Sequence, residues 1–490
     1  MSTDSEIELK FVCAPEDLGA VLASAPEGDD DSRELISVYF DTADQVLQKA
    51  GVSLRVRESN GHRVQTVKRG EGVFREEHET PVAGHAPNPQ VEPLKALLPE
   101  GTSLKPAFNV HVTRRQRLIR LGDAEIELSL DQGEVKGGRR SSPISEVELE
   151  LKAGSLKVMF ELARELSRAA PLYVSFEGKA ARGQALIAGA PLQARKSAKI
   201  DLPEGATVAA AFQANARSAL SQITVNAEVM RAAPQPEAIH QLRVGVRRLR
   251  SLIATFSSVV GDASMAGVKS ELRWLADDSN RARNLDVLAE AVETAANQLD
   301  PCPAGLKALS DAVASAARRA RTHVRQTVSS ERFRTLMLEA TAWVEDGDWL
   351  AASPAATDPV AAYARRALAK RRRKLLKLGR TFEEASDAGR HHVRIEAKKL
   401  RYAAEGLASL YPQKRVSRFV RRLEALQDEL GELNDIATAD GLFVGLPLTP
   451  EAAFAAGELA GLKRAAKPAL VAHAAKALKR LGKAKPFWAR

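Results

Sequence analysis

Cysteine occurs only twice in this 490-residue sequence, as Cys13 and Cys302. Two distant thiols leave no room for a disulfide framework or a cysteine-based metal centre, and they suit the cytoplasm. Aromatic residues make up 5% and do not interleave with the basic ones, so a platform for stacking nucleic-acid bases has little support. No run of about 18 uncharged apolar residues occurs, so no transmembrane helix is expected and no membrane partner. The opening MSTDSEIELK is acidic and polar, unlike a signal peptide. Apolar mass and charge are plentiful: 44% hydrophobic and 27% charged residues allow real cores under a heavily charged surface. The length implies two or three domains.

The net charge of +10 is unevenly placed. Residues 1–200 hold 27 Lys+Arg against 30 Asp+Glu, and the remainder holds 45 against 32. The second half should therefore favour a polyanion. The hydropathy pattern changes near the same point. Before residue 200, short segments such as EIELKF, SLRVR, VQTVK, FREEHE, IELSLD and EVELELK alternate with period two, the mark of half-buried strands. After about residue 205 an Ala-, Leu- and Arg-rich composition takes a helical period. The pattern predicts an α+β domain over 1–197, a linker over 198–204 and an all-α domain over 205–490.

The charged faces of the strands are unusually consistent. Glu6, Glu8 and Lys10 share one face, as do Arg55 and Arg57, then Arg75, Glu77 and Glu79, then Glu146, Glu148, Glu150 and Lys152. Ile7, Leu9, Val56, Val147 and Leu149 occupy the opposite faces. A closed antiparallel β-barrel with a charged lumen and an apolar outside covered by helices accounts for both. Converging Arg and Lys suit phosphate oxygens. Carboxylates beside them suit a hard cation such as Mg²⁺, held together with substrate phosphates. A solvated sheet face with cross-strand ion pairs gives the same alternation, so alternation alone leaves both readings open.

The ordered motifs resemble the CYTH superfamily, the triphosphate tunnel metalloenzymes. ExExK stands at Glu6–Lys10. It is followed by YFDT at Tyr39–Thr42, LRVR at Leu54–Arg57, Lys68, RxExE at Arg75–Glu79, VTRR at Val112–Arg115, IELSLDQG at Ile126–Gly133, EVELELK at Glu146–Lys152 and KxxRG at Lys179–Gly183. The resemblance implies that Lys10, Arg55, Arg57, Lys68, Arg75, Arg115 and Lys179 hold phosphates. It implies that Glu6, Glu8, Asp131, Glu146 and Glu148 coordinate Mg²⁺ or Mn²⁺. Glu6, Glu8, Lys10 and Lys179 would be the catalytic set, and inorganic triphosphate the substrate. A nucleotide-processing relative such as an adenylate cyclase, and a polyphosphate-granule protein that binds without cleaving, are the alternatives.

The second half carries an internal repeat. His240-Gln-Leu-Arg243-Val-Gly-Val-Arg247-Arg248-Leu-Arg250 recurs 151 residues later as His391-His-Val-Arg394-Ile-Glu-Ala-Lys398-Lys399-Leu-Arg401. Two helical units, about 205–345 and 356–490, follow from it. Each puts a basic stripe headed by a histidine on one helix face. The stripes resemble the CHAD domain, the conserved histidine α-helical domain. That implies two pseudo-symmetric bundles whose shared groove binds inorganic polyphosphate through His240, Arg243, Arg247, Arg250, His391, Arg394, Lys398 and Arg401. Arg248, Lys399 and the run Lys370–Lys374 would extend the groove. The implied location is the cytoplasm, with polyphosphate granules as a place of association.

Overall fold

The computed structural model describes residues 4–70, 73–189 and 193–489, except for the side chains of residues 4, 5, 75 and 440. The chain forms two compact units. One comprises Met1–Ala194 and Ser330–Asp346, the other Arg195–Ser329 and Gly347–Arg490.

The first unit is built on nine strands: β1 (Asp4–Val12), β2 (Gly28–Asp41), β3 (Val52–Ser59), β4 (His62–Arg69), β5 (Phe74–Pro81), β6 (Lys105–Leu121), β7 (Ala124–Gly137), β8 (Arg140–Ala153) and β9 (Tyr173–Val174). Their order is β5-β4-β3-β2-β6-β7-β8-β1-β9, and β1 also pairs with β5. That pairing joins β1 to β8 into a ring of antiparallel neighbours. One edge of β1 serves β5 and then β9, while its other edge serves β8. Tight turns set the register. Between β3 and β4 the backbone turns at Asn60 and Gly61, both with positive φ, as a two-residue hairpin requires.

The side-chain alternation sorts the ring into two faces. On the outer face Phe40, Val52, Leu54, Val56 and Val67 are buried beneath Leu47 of α2 (Val46–Lys49) and Leu94 of α3 (Leu94–Leu97). A short helix, α1 (Leu18–Ser24), packs on α4 (Leu156–Ala169), which buries Met159, Phe160, Leu162, Ala163 and Leu166 as it lies against β7 and β8. Ser155 caps α4, its side chain accepting from the Lys157 amide. The inner face holds the charged residues. Toward one end the inner-face parity turns apolar, with Leu35, Tyr39, Phe108, Val110, Val112, Val135 and Ile144 packed on Leu186 of α5 (Lys179–Ile187). Gly183 is required here, because a Cβ at this position would lie 2.1 Å from the Phe108 ring. The barrel interior is thus packed at that end and polar beyond it.

The second unit is helical: α6 (Val208–Ala232), α7 (Pro236–Thr255), α8 (Ala263–Asp278), α9 (Asn280–Asn297) and α10 (Ala304–Ser329) are followed, after the excursion described next, by α12 (Trp349–Ala352), α13 (Val360–Leu378), α14 (Asp387–Gly406), α15 (Gln413–Val444) and α16 (Pro450–Gly482). The two repeat helices, α7 and α14, pack against each other. Each also has an upstream partner: α6 for α7 and α13 for α14.

One helix departs from the expected all-α block over 205–490. The intervening α11 (Glu331–Asp346) belongs to the barrel unit and packs on α4 and β9. Both guanidinium nitrogens that Arg164 of α4 directs at Glu339 lie within 2.8 Å of its carboxylate. The Arg334 guanidinium sits 5.5 Å from the centre of the Tyr173 ring. The helical period of 331–346 is evident in the sequence, but it does not say which surface the apolar face meets.

Candidate functional site

Inside the barrel, three buried cations meet four buried acids. Lys10 of β1 places Nζ 2.8 Å from Glu148, 3.3 Å from Glu8 and 3.8 Å from Glu146. Lys179, the first residue of α5, reaches Asp131 at 2.7 Å and both Glu146 and Glu148 at 2.8 Å. Arg114 of β6 donates from Nε and Nη2 to the two Asp131 oxygens at 2.7 Å and from Nη2 to Glu148 at 2.6 Å. Asp131 and Glu146 have no solvent exposure. Burial disfavours the charges of Lys10, Arg114, Asp131, Glu148 and Lys179, yet their opposite charges win. The Lys10 and Lys179 amines are held above the usual lysine range, Glu148 well below the carboxylate range, and Asp131 at about 2.

A second group continues along the lumen. Lys68 donates to both Glu6 oxygens at 2.9 and 2.8 Å and lies 3.0 Å from Glu77. Burial, with Glu8 and Glu77 nearby, lifts the Glu6 carboxyl to about 7 in spite of Lys68. Arg55 is 3.6 Å from Glu77. Arg57 donates from Nε to the Ser37 hydroxyl at 3.4 Å. Burial and the like charges of Arg55 and Arg114 press its guanidinium down to about 10. Tyr39 stacks on Phe108 with centroids 4.6 Å apart. Burial alone would raise its phenol, but Arg55, Arg57 and Lys179 hold it below the ordinary range.

In the helical unit, basic residues of both repeat helices converge, and Glu237, Asp277 and Asp435 offset only part of their charge. Burial and the charges of Arg247, Arg394 and Arg243 push the Lys398 amine down to about 6. Burial with Arg283, Arg247 and Lys398 lowers His240 to about 4, against the opposing pull of Glu237. Arg243 is braced by the Ala276 carbonyl, the Ser279 hydroxyl at 3.1 Å and Asn280 at 3.0 Å, where α8 meets α9. His391 takes a 2.9 Å hydrogen bond with Asn434 of α15.

Comparison with known proteins now adds a decisive observation. The family model described as "CYTH domain" matches residues 4–183, and the one described as "CHAD domain" matches residues 214–444. The two stretches thus match the CYTH and CHAD family models in turn. A protein of Haemophilus influenzae named inorganic triphosphatase is 30% identical over 193 residues, covering 37% of this chain and 54% of that protein. An uncharacterised protein of Mycobacterium tuberculosis is 32% identical over 181 residues, covering 34% of each. The matched stretch thus spans about half of the first relative and a third of the second. The solved CHAD domain of the plant Ricinus communis superposes with a TM-score of 0.53 at 27% identity, covering 59% of this chain and 96% of that one. Among the described residues no helix is long and apolar enough to cross a membrane.

Within the CYTH domain the structure gathers Glu6, Glu8, Lys10, Arg55, Arg57, Lys68, Asp131, Glu146, Glu148 and Lys179 on the lumen face. The side chain of Arg75 lies outside the described residues, and its backbone pairs with Glu6. Arg115 is a correction. It stands beside Leu130 in the β6–β7 register, on the face opposite Arg114. Arg114, the other arginine of the VTRR motif, is the buried lumen residue, and it shares parity with Phe108, Val110 and Val112. The two arginines should separate in activity. Arg114→Ala should lower phosphate-releasing activity by about 100-fold, the scale of one lost charge-stabilising donor, and Arg115→Ala by less than about threefold. Steady-state rates at saturating substrate check both.

The carboxylates were also expected to hold a metal. Among the described residues no three acids, imidazoles or thiols cluster at ligand spacing, because lysine and arginine heads stand between them. Both oxygens of Asp131 are engaged by Arg114. Glu146 differs: its two buried oxygens accept no well-aligned hydrogen bond. With Glu8, which also faces Lys10, it offers hard oxygen donors of the kind a divalent cation prefers. CYTH tunnel enzymes are metal-dependent.

Within the CHAD domain, His240, Arg243, Arg247, Arg394 and Lys398 form one cluster, joined by Arg283, which the sequence reading missed. Arg401 falls away from it, and Arg250 stands at its edge, where its charge still acts on Arg243. Arg250 feels Arg273 and Asp277, and Arg401 binds Glu405 at 2.6 Å and Glu424 at 3.2 Å. The expected extensions are structural. Arg248 donates to Gln222 of α6, and Lys374 and Lys399 bind the buried Glu396 at 2.9 and 2.8 Å. Arg372 donates to the backbone at Gly482 and Ala484.

Proposed function

We propose that the CYTH domain hydrolyses inorganic triphosphate to pyrophosphate and phosphate, and that the CHAD domain binds inorganic polyphosphate. The observation that carries the first part is the buried lumen in which Lys10, Lys179 and Arg114 are already gathered and charge-balanced by carboxylates. Phosphate oxygens entering the lumen replace those carboxylates as partners of the cations, while Arg55 and Arg57 present forks suited to planar pairs of phosphate oxygens. A divalent cation, Mg²⁺ or Mn²⁺, held by Glu146 and Glu8, would neutralise charge on the transferred phosphoryl group. Water attacks the terminal phosphorus, the bridging P–O bond breaks toward pyrophosphate, and a lumen carboxylate takes the proton. Positioning and charge compensation suffice for this chemistry, so no serine or cysteine nucleophile is needed. The name of the Haemophilus influenzae relative supports the choice of substrate. For the CHAD domain, support comes from five converging basic groups whose mutual repulsion a polyanion would relieve.

The test is an assay of the purified full chain with Mg²⁺ or Mn²⁺ against triphosphate, pyrophosphate, ATP and long polyphosphate. Phosphate release should be fastest from triphosphate. Release from none of them would sink the hydrolase reading, and pyrophosphate without orthophosphate from ATP would replace it with nucleotide cyclisation.

A further inference from the structure

The helices α15 and α16 enclose a groove of about 650 Å³ lined by Arg418, Arg421, Arg422 and Ala425 on one side and Ala477, Arg480 and Lys483 on the other. The five cations are exposed. Arg421 donates to its own helix at the Ser417 carbonyl, and among the described residues none of the five has a carboxylate within ion-pair distance. The nearest acids of α15 are turned elsewhere: Glu424 toward Arg401 and Glu429 toward His473. The small Ala425 and Ala477 leave the floor open between the basic walls.

The pseudo-symmetry shows that the fold does not require this charge. At the 151-residue offset of the repeat, buried Phe419, Leu423 and Leu426 coincide with buried Val268, Leu272 and Leu275 of α8. At the same offset Arg418, Arg421 and Arg422 coincide with Gly267, Ser270 and Glu271. The packing face is therefore repeated and the basic face is not. Three arginines at i, i+3 and i+4 repel one another along one side of a helix, a cost that the other repeat avoids.

We propose that the α15–α16 groove is a second binding site for a phosphate-rich polyanion, separate from the cross-repeat cluster, and that its ligand is an inorganic polyphosphate chain. Arginine forks spaced about one helical turn apart match oxyanions presented in series along a flexible chain. No aromatic ring lines the groove, so nothing in it would stack a nucleic-acid base. Because its residues are distinct from His240, Arg243, Arg247, Arg394 and Lys398, the groove stands or falls independently of that cluster.

The experiment compares the full chain with the triple variant Arg418→Ala, Arg421→Ala, Arg422→Ala and with the pair Arg480→Ala, Lys483→Ala, using long-chain polyphosphate across a salt series. All five side chains are exposed, and circular dichroism melting is the check that each variant keeps the fold. Each variant should bind polyphosphate about tenfold more weakly, and the triple variant should lower the slope of log affinity against log salt by about 2, as expected for two or three lost phosphate contacts. Triphosphate hydrolysis should be unchanged. An Arg247→Ala, Arg394→Ala variant should retain binding that disappears when the groove changes are added. Unchanged affinity and salt slope in both groove variants would overturn the proposal. So would an equal or larger loss for a single-stranded oligonucleotide of matched charge, which would make the groove a nucleic-acid surface.

Discussion

Lys179→Ala should abolish most triphosphate hydrolysis, by at least about 100-fold in kcat, and should lower stability by about 3 kcal/mol. The two effects share a cause. One buried ammonium lies within 2.8 Å of Asp131, Glu146 and Glu148, so its removal leaves three buried carboxylates short of a cation. Phosphate-release rates and thermal melting measure the two effects separately. The pH dependence follows the same logic. Asp131 titrates at about 2 in the fold and near 3.8 in the unfolded chain. Its contribution is therefore present above pH 3.8 and disappears as pH falls toward 2. In the variant this carboxylate should titrate higher, so that acid unfolding begins at a higher pH. A Lys179→Ala protein with more than a tenth of parental kcat would remove Lys179 from the centre of the site.

Polyphosphate binding by the CHAD domain should take up close to one proton per cluster between pH 7 and 9. Lys398 holds its amine at about 6 because burial, Arg247, Arg394 and Arg243 disfavour the charge. An anion placed among these groups favours the ammonium and raises that value. Between the free and bound values the complex holds more protons, so affinity falls as pH rises, by up to about tenfold per unit. Calorimetry in buffers of different ionisation enthalpy reads the proton uptake directly, and Lys398→Met should eliminate it. The ligand-free fold shows the opposite trend. An unfolded lysine titrates near 10.4, so between about 6 and 10 the unfolded chain binds more protons and stability rises with pH through this group. An uptake of zero in the parent protein would contradict the clustering of the two repeat helices' charges.

The period-two alternation made the barrel legible, because which face a strand residue occupies is decided by counting along one segment. The β1–β5 pairing that joins the ring was not legible, since it links residues about 70 apart in the sequence. The same counting decides between Arg114 and Arg115. From Phe108 through Val110 and Val112 the inward parity runs to Arg114, whereas a motif of two adjacent arginines does not discriminate. The basic stripe was legible at i, i+3 and i+7. The i+10 position lies within about 20° of i+3 around an α-helix, so spacing alone could not show that Arg401 would pair with Glu405 and Glu424. Arg283 lies on a different helix from either repeat motif, so no spacing within the motif could reveal it.

The assignment of α11 to the barrel unit has a consequence for how the chain can be taken apart. The polypeptide passes from one unit to the other three times, after Ala194, after Ser329 and after Asp346. A protease that nicks only the stretch near residue 195 therefore leaves two fragments held together by a docked helix. A truncation ending near residue 197 makes a barrel lacking the surface that covers α4 and β9. Complementation of that truncated barrel by a peptide spanning 330–346 would be the signature of this shared ownership.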